Sequence, residues 1–277
     1  MKLSARIIAG IALLVVLGST VGCTKLRARD QLVKGVQAFK AGHYEEAIGH
    51  FQNSIALDPN YESAKLYLAT AYSYEVVPNL DTPENLATAQ KAMDGFNEVL
   101  AKNPNDLDAL KQIASIERNI KHFDQAKATY QHIIQLDPND AESNYTIGVI
   151  DWTQAYKNAV QILGEQNPPL QDDGNGNVKM NKATCAKIKE ANTQLVDEAM
   201  KYLNRAVEIR PTYDDAMQYL NLNYRRKADL ECPNDAARKD DLAQADQWVQ
   251  KAIGARKINE AEKEKKAAGG VVMEQGK

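Results

Sequence analysis

Apolar residues open the chain as a block. Ile7 to Leu17 is an apolar run of 11 residues, preceded by Lys2 and Arg6 and followed by the small residues Gly18-Ser19-Thr20-Val21-Gly22 and then Cys23. The run is too short to span about 30 Å of hydrocarbon as a helix. Positive start, short apolar stretch and small-residue end are the layout of a secretory signal peptide over residues 1–22. Further on, four segments end alike: Leu57-Asp58-Pro59-Asn60, Lys102-Asn103-Pro104-Asn105, Leu136-Asp137-Pro138-Asn139 and Ile209-Arg210-Pro211-Thr212. Each proline predicts a helix end, because it cannot continue the hydrogen-bond ladder and restrains the residue before it. The prolines are 45, 34 and 73 residues apart, which predicts a helical repeat carrying extra residues in some copies.

Other positions keep the same phase. Counting five repeats over 28–61, 62–106, 107–140, 141–213 and 214–256, the 20th position of the pattern is alanine each time: Ala47, Ala92, Ala126, Ala199 and Ala245. The eighth is small in four copies (Gly35, Ala69, Ala114 and Gly148) and Asn221 in the last. The repeat from Leu107 to Asp140 adds Phe123, Tyr130 and Pro138, and the first adds Tyr44, Phe51 and Pro59 at the matching places. Over residues 28 to 256 this pattern resembles the tetratricopeptide-repeat (TPR) family, whose period is about 34 residues. The resemblance implies an all-α fold, a right-handed α-solenoid of about five helical hairpins. No hairpin buries its apolar face alone, and stacked neighbours complete the core.

The chain departs from the family in several places. Glu75 to Leu80 separates the two helices of the second repeat, and Thr82-Pro83-Glu84 reads as an N-cap with a first-turn proline and acid, which lengthens the second helix. In the fourth repeat the first helix continues from Ala141 through Trp152, Tyr156, Val160 and Leu163. A polar loop from Gln166 to Asn181 follows, and a second helix runs from about Lys182 to Ile209. This predicts an extended hairpin inserted in repeat 4. The fifth repeat is also lengthened and lacks its proline, so its last helix runs on beyond residue 256, and residues 267–277 read as a disordered tail. Residues 23–27 read as a short linker.

Thr20-Val21-Gly22-Cys23 resembles a bacterial lipobox, although the first position is usually leucine. In that family the cysteine becomes the lipidated first residue of the mature chain, so Cys23 is the candidate lipidation site. Ordinary signal cleavage and an uncleaved anchor helix are the alternatives. Thr24 in place of aspartate implies the periplasmic face of the outer membrane by resemblance to enterobacterial sorting. Without lipid, the chain would be periplasmic or secreted. Cys185 and Cys232 then remain. In the repeat arrangement the helices between them are antiparallel, so both return towards one end of the stack. An oxidising compartment would pair them, and the alternative is two buried thiols.

Composition narrows the function. Apolar residues make up 44% and charged residues 26%, a globular balance. The net charge is -3 with no basic block, which argues against nucleic acid as partner. His43, His50, His122 and His132 form no metal-ligand spacing. Asp172-Asp173-Gly174-Asn175-Gly176-Asn177 resembles a calcium loop, but Val178 and Thr184 stand where that loop needs glycine and glutamate, so a polar turn is the better reading. Walker, dinucleotide-binding and GxSxG motifs are absent. No enzyme, cofactor or metal is expected.

In TPR proteins the first helix of each repeat lines a concave groove. Carried over, the resemblance implies a groove formed by Leu66, Thr70, Tyr74, Lys111, Ser115, Arg118, Asn119, Tyr145, Val149, Trp152, Gln218, Leu222, Arg225 and Arg226. Tyr145 and Trp152 have a second reading, as packing for the fourth-repeat extension. The Lys/Asn pair of chaperone-type TPR clamps is absent: the corresponding pairs are Leu32/Val36, Leu66/Thr70, Lys111/Ser115, Tyr145/Val149 and Gln218/Leu222. The expectation is a non-catalytic scaffold of the bacterial cell envelope that binds a partner protein through this groove or the inserted hairpin. The alternative is an envelope module that binds a glycan or cell-wall fragment.

Overall fold

The computed structural model describes residues 24–274, with side chains to residue 267. The expected signal peptide and Cys23 lie outside the described residues. Within them the chain is helical. Helix α1 covers residues 24–40. It is followed by α2 (Tyr44–Leu57), α3 (Glu62–Glu75), α4 (Pro83–Lys102), α5 (Leu107–Asn119), α6 (Phe123–Leu136), α7 (Ala141–Gly164), α8 (Lys182–Ile209), α9 (Asp214–Leu230) and α10 (Asp235–Glu274). Two expectations are corrected. Residues 24–27, expected as linker, are the first turn of α1, where Lys25, Leu26 and Arg27 are good helix formers. The expected disordered tail, over its described residues, stays helical to Glu274, carried by the Ala-, Glu- and Lys-rich approach from residue 260.

Each of the four prolines sits two residues beyond a helix end, after Leu57, Lys102, Leu136 and Ile209, and the next helix starts three residues later. Side-chain caps fix several starts. Thr82, Asp106, Asp140 and Asn181 accept the backbone N–H groups of Asn85, Ala109, Ser143 and Thr184, which are helix donors with no partner inside the helix. Two turns within hairpins close the same way. Gly42 and Lys121 take positive φ, and the N–H groups of His43 and His122 reach back to the carbonyls of Ala38 and Glu117.

The chain packs as two compact units, residues to Thr129 and from Tyr130. In the first, α3 packs on α2 and α4, and α4 on α5. One core gathers Leu32, Ala47, Phe51 and Ala64, another Ala69, Ala92, Phe96, Ile113 and Ile116. The insertion between α3 and α4 is held by buried Asn85. Its Oδ1 accepts from the Val77 N–H, and its Nδ2 donates to the carbonyls of Val77 and Leu80. In the second unit α7 packs on α8 and α9, and α9 on α10. There α7 has 24 residues and α8 has 28.

The small residues of the repeat are where helices approach most closely. Ala47, Ala92, Ala126, Ala199 and Ala245 are all fully buried. A Cβ on Gly148 would lie 2.5 Å from Cγ of Leu203 and 3.3 Å from the carbonyl oxygen of Ala199. One on Gly35 would lie 2.4 Å from the ring of Phe51.

Candidate functional site

In the first unit, Leu66, Thr70 and Tyr74 lie on one face of α3 at a spacing of four residues. Leu66 is 44% exposed and Tyr74 57%. Thr70 turns its hydroxyl back to the Leu66 carbonyl. The exposed ring of Tyr74 is supported from one side by Phe39 and Tyr44, with both centroids 5.1 Å away. On α5, Lys111, Ser115, Arg118 and Asn119 are half-buried. The Asn119 carbonyl accepts the N–H of Asn79, and Lys121 pairs with Asp81 at 3.1 Å, so the α3–α4 insertion is tied to the end of α5.

In the second unit, Tyr145, Val149 and Trp152 form a stripe on α7 that continues through Tyr156 and Val160, all within one face of the helix. Tyr156 and Val160 are 40% and 43% exposed, and Tyr145, Val149 and Trp152 are half-buried. Tyr219 of α9 stands edge-on to both aromatic rings, 5.7 Å from Tyr145 and 5.3 Å from Trp152. Tyr213 covers Tyr145 at 4.9 Å, and Tyr156 stacks on Trp152 at 5.4 Å with an interplanar angle of 11°. Tyr145 and Trp152 are therefore packed among other rings and do not lie side by side as a bare platform. Burial and the hydrogen bond that Tyr213 donates to Glu142 push the Tyr213 hydroxyl well above its ordinary range, so it stays protonated. Gln218 and Leu222 are half-buried on α9.

Arg225 and Arg226 belong elsewhere, which corrects their assignment to the groove. Arg226 is 3% exposed, and its Nη2 lies 2.7 and 2.9 Å from the two carboxylate oxygens of Asp172. Its Nη1 sits 2.9 Å from Oδ2 of Asp229 in an ion contact where neither atom makes a hydrogen bond. Arg225 donates to the Gly174 carbonyl and to side-chain oxygens of Asn175, Asn221 and Asp246. Both guanidinium groups thus clamp the 172–177 loop to α9. Asn177, at positive φ, donates to Asp172 and Asp229 and accepts from the Asp173 N–H. The loop that resembles a calcium site is thus a turn closed by arginine. Burial works to raise the Asp172 carboxyl, but the hydrogen bond and charge of Arg226, with bonds from Asn177 and the Gly174 amide, hold it below its usual range. For Asp229 burial wins over the charge of Arg226 and the Asn177 bond, and its carboxyl is pushed up to about 7.

A disulfide joins Cys185 on the first turn of α8 to Cys232 in the α9–α10 turn, with Cα atoms 6.2 Å apart. That distance lies inside the roughly 4.4–6.8 Å such bonds require. The Cys232–Pro233 peptide bond is cis.

Sequence reasoning left Tyr156 and Val160 out of the groove, although they continue the 145, 149, 152 spacing. It also missed the Asp172–Asn177–Arg226–Asp229 network. The visible signal was an Asp- and Asn-rich loop in a chain that also carries an Arg-Arg pair.

Comparison with known proteins agrees with this architecture. The sequence profile of the family described as Tetratricopeptide repeat matches residues 107–140 and 191–213. The Hsp70-Hsp90 organizing protein of Triticum aestivum is 27% identical over 115 residues, which is 42% of this chain and 18% of that protein. Among solved structures, MamA 41-end from Desulfovibrio magneticus RS-1 superposes with a TM-score of 0.52 at 16% identity, covering 84% of this chain and 96% of that one. A crystal structure of MamA protein gives 0.53 at 15% identity, covering 83% and 92%. At these identities the likeness is one of fold.

Proposed function

This chain is a tetratricopeptide-repeat protein, and we propose that it is a non-catalytic scaffold of the bacterial cell envelope that binds a partner protein along the first helices of its repeats. The observation that carries the reading is the stripe of Tyr145, Val149, Trp152, Tyr156 and Val160 on α7, which stays partly open to solvent although α7 packs against both α8 and α9. An apolar face left open in a packed hairpin array is a surface for a partner. Aromatic residues with low side-chain entropy are effective anchors there. Leu66 and Tyr74 on α3 form the corresponding surface of the first unit.

The partner differs from a chaperone tail. The Lys/Asn pair of the carboxylate clamp is replaced by Leu66/Thr70, Lys111/Ser115 and Tyr145/Val149, so the match to the chaperone-organizing protein does not carry its ligand. The open stripe suits an apolar helix or extended segment. Because Arg225 and Arg226 are engaged in the loop clamp, acidic character in the partner would be read by Arg118, which makes no ion pair among the described residues. The envelope placement rests on the lipobox-like Thr20-Val21-Gly22-Cys23, with Cys23 as the lipidated residue on the periplasmic face of the outer membrane.

Capture after in-cell crosslinking tests this, with the intact chain compared to a Leu66→Glu, Val160→Glu variant. Both positions are exposed, so the fold is kept, as circular dichroism would verify. A partner protein held by the intact chain and lost in the variant supports the reading. The same protein recovered equally with both removes the groove from it.

A further inference from the structure

A pocket of about 530 Å³ opens between the start of α8 and the α9–α10 turn. Pockets of roughly 300–1,000 Å³ enclose small organic ligands. Its apolar lining comes from Val178, Met180, Ala186, Pro233 and the Cys185–Cys232 disulfide. Val178 is 61% exposed, an apolar side chain left in the open at the pocket.

The charges around it are unequal in their engagement. Asp235 is paired with Lys239 at 2.7 Å and with Arg238. Lys182 and Lys189 also line the pocket, and their side chains make no hydrogen bond or ion pair among the described residues. Glu231 is the remaining acid of the lining. Lys182 is the first residue of the 28-residue α8, and the first turn of that helix contains no acid. The helix dipole disfavours a cation at that end and favours an anion. Two uncommitted ammonium groups and a positive helix end thus border an apolar cavity.

We propose that this pocket binds an amphiphilic carboxylate, with its apolar body against Val178, Ala186 and the disulfide and its anionic head at Lys182 and Lys189. The walls are set before binding. The disulfide fixes one side, the Asn181 N–H is held by Gln166 at 2.9 Å, and Asn177 is bonded to Asp172 and Asp229. Little ordering is left for the ligand to impose. None of the lining residues belongs to the surface proposed for the partner protein.

Decanoate is the probe, titrated below its micellar range into the disulfide-bonded full chain and followed by calorimetry and amide chemical shifts. The expected result is saturable one-to-one binding with the largest shifts at Val178, Ala186 and Asn234. Decanol, with the same chain and no carboxylate, is expected to bind at least tenfold more weakly. A Lys182→Gln, Lys189→Gln variant is expected to lose at least tenfold. Ala186→Trp, at an exposed position, blocks the pocket without burdening the core. Absence of saturable binding, shifts centred elsewhere, or equal affinity for decanol or the lysine variant would overturn the proposal. The Leu66→Glu, Val160→Glu variant should bind decanoate like the intact chain, so failure of the groove reading and failure of this one are seen separately.

Discussion

Arg226 and Asp172 meet with one guanidinium nitrogen 2.7 and 2.9 Å from the two carboxylate oxygens, at the start of the 172–177 loop. The arginine comes from α9, so the contact also fastens the α7–α8 connection to the next hairpin. Asp229, 1% exposed, shares the same cation from its other side.

Removing that cation leaves the partly buried Asp172 carboxylate and the buried Asp229 carboxyl without the charge they share. Arg226→Met is expected to destabilise the protein by about 3–5 kcal/mol, the usual cost of breaking a buried pair from one side. Urea unfolding followed by circular dichroism checks it. An Arg226→Met chain that unfolds within about 1 kcal/mol of the parent, on the surface-pair scale, would show the network to be dispensable.

The same network sets a pH dependence. Burial pushes the Asp229 carboxyl up to about 7 in the folded protein, against roughly 4 when unfolded. Between these values the folded state holds the extra proton, so this contribution to stability is fully present below the unfolded value and lost as pH rises through about 7. Asp172 has the opposite sign, but its folded value is lowered, so its contribution is lost only as pH falls below the ordinary carboxylate range. Stability of Asp229→Asn, measured against the parent from acid to neutral pH, should show a smaller decline towards neutrality.

Two glycines should respond in opposite directions to alanine. At Gly148 the new methyl would stand 2.5 Å from Leu203 Cγ, and overpacking of this kind costs about 1–3 kcal/mol. At Gly49, inside α2, nothing lies within 4 Å of the new methyl. There alanine should stabilise by about 0.5–1 kcal/mol through helix propensity. Thermal midpoints of the two variants decide the point.

Replacing Cys185 and Cys232 together by serine should lower stability by about 4 kcal/mol in the chain-entropy treatment of a long loop. The bond spans 47 residues of sequence. Denaturation of the parent with and without reductant gives the same comparison without mutation.

How far the sequence could be read follows from what kind of signal each feature leaves. The repeat was legible because close helix contact demands small side chains at fixed intervals, and a proline two residues past a helix end marks the boundary directly. The start of α8 at Lys182 was legible from the polar loop and its Asn181 cap. The groove was only partly so. A helix-face rule places Leu66 and Tyr74 on an open surface, but it cannot tell that Arg225 and Arg226 are drawn away by a loop some fifty residues earlier in the chain. Nor could it show that Tyr213 and Tyr219 close over Tyr145, because those contacts join separate helices.

Site-specific photocrosslinking tests the central claim most directly. A photoreactive residue is placed in turn at Leu66, Tyr156 and Val160 on the first helices, and at Gln90 and Gln194 on the exposed faces of the second helices, in cells that make the protein. The account predicts one protein partner crosslinked from the first-helix positions and not from Gln90 or Gln194. The same partner captured only from the second-helix positions, or no protein captured from any of them, would contradict it.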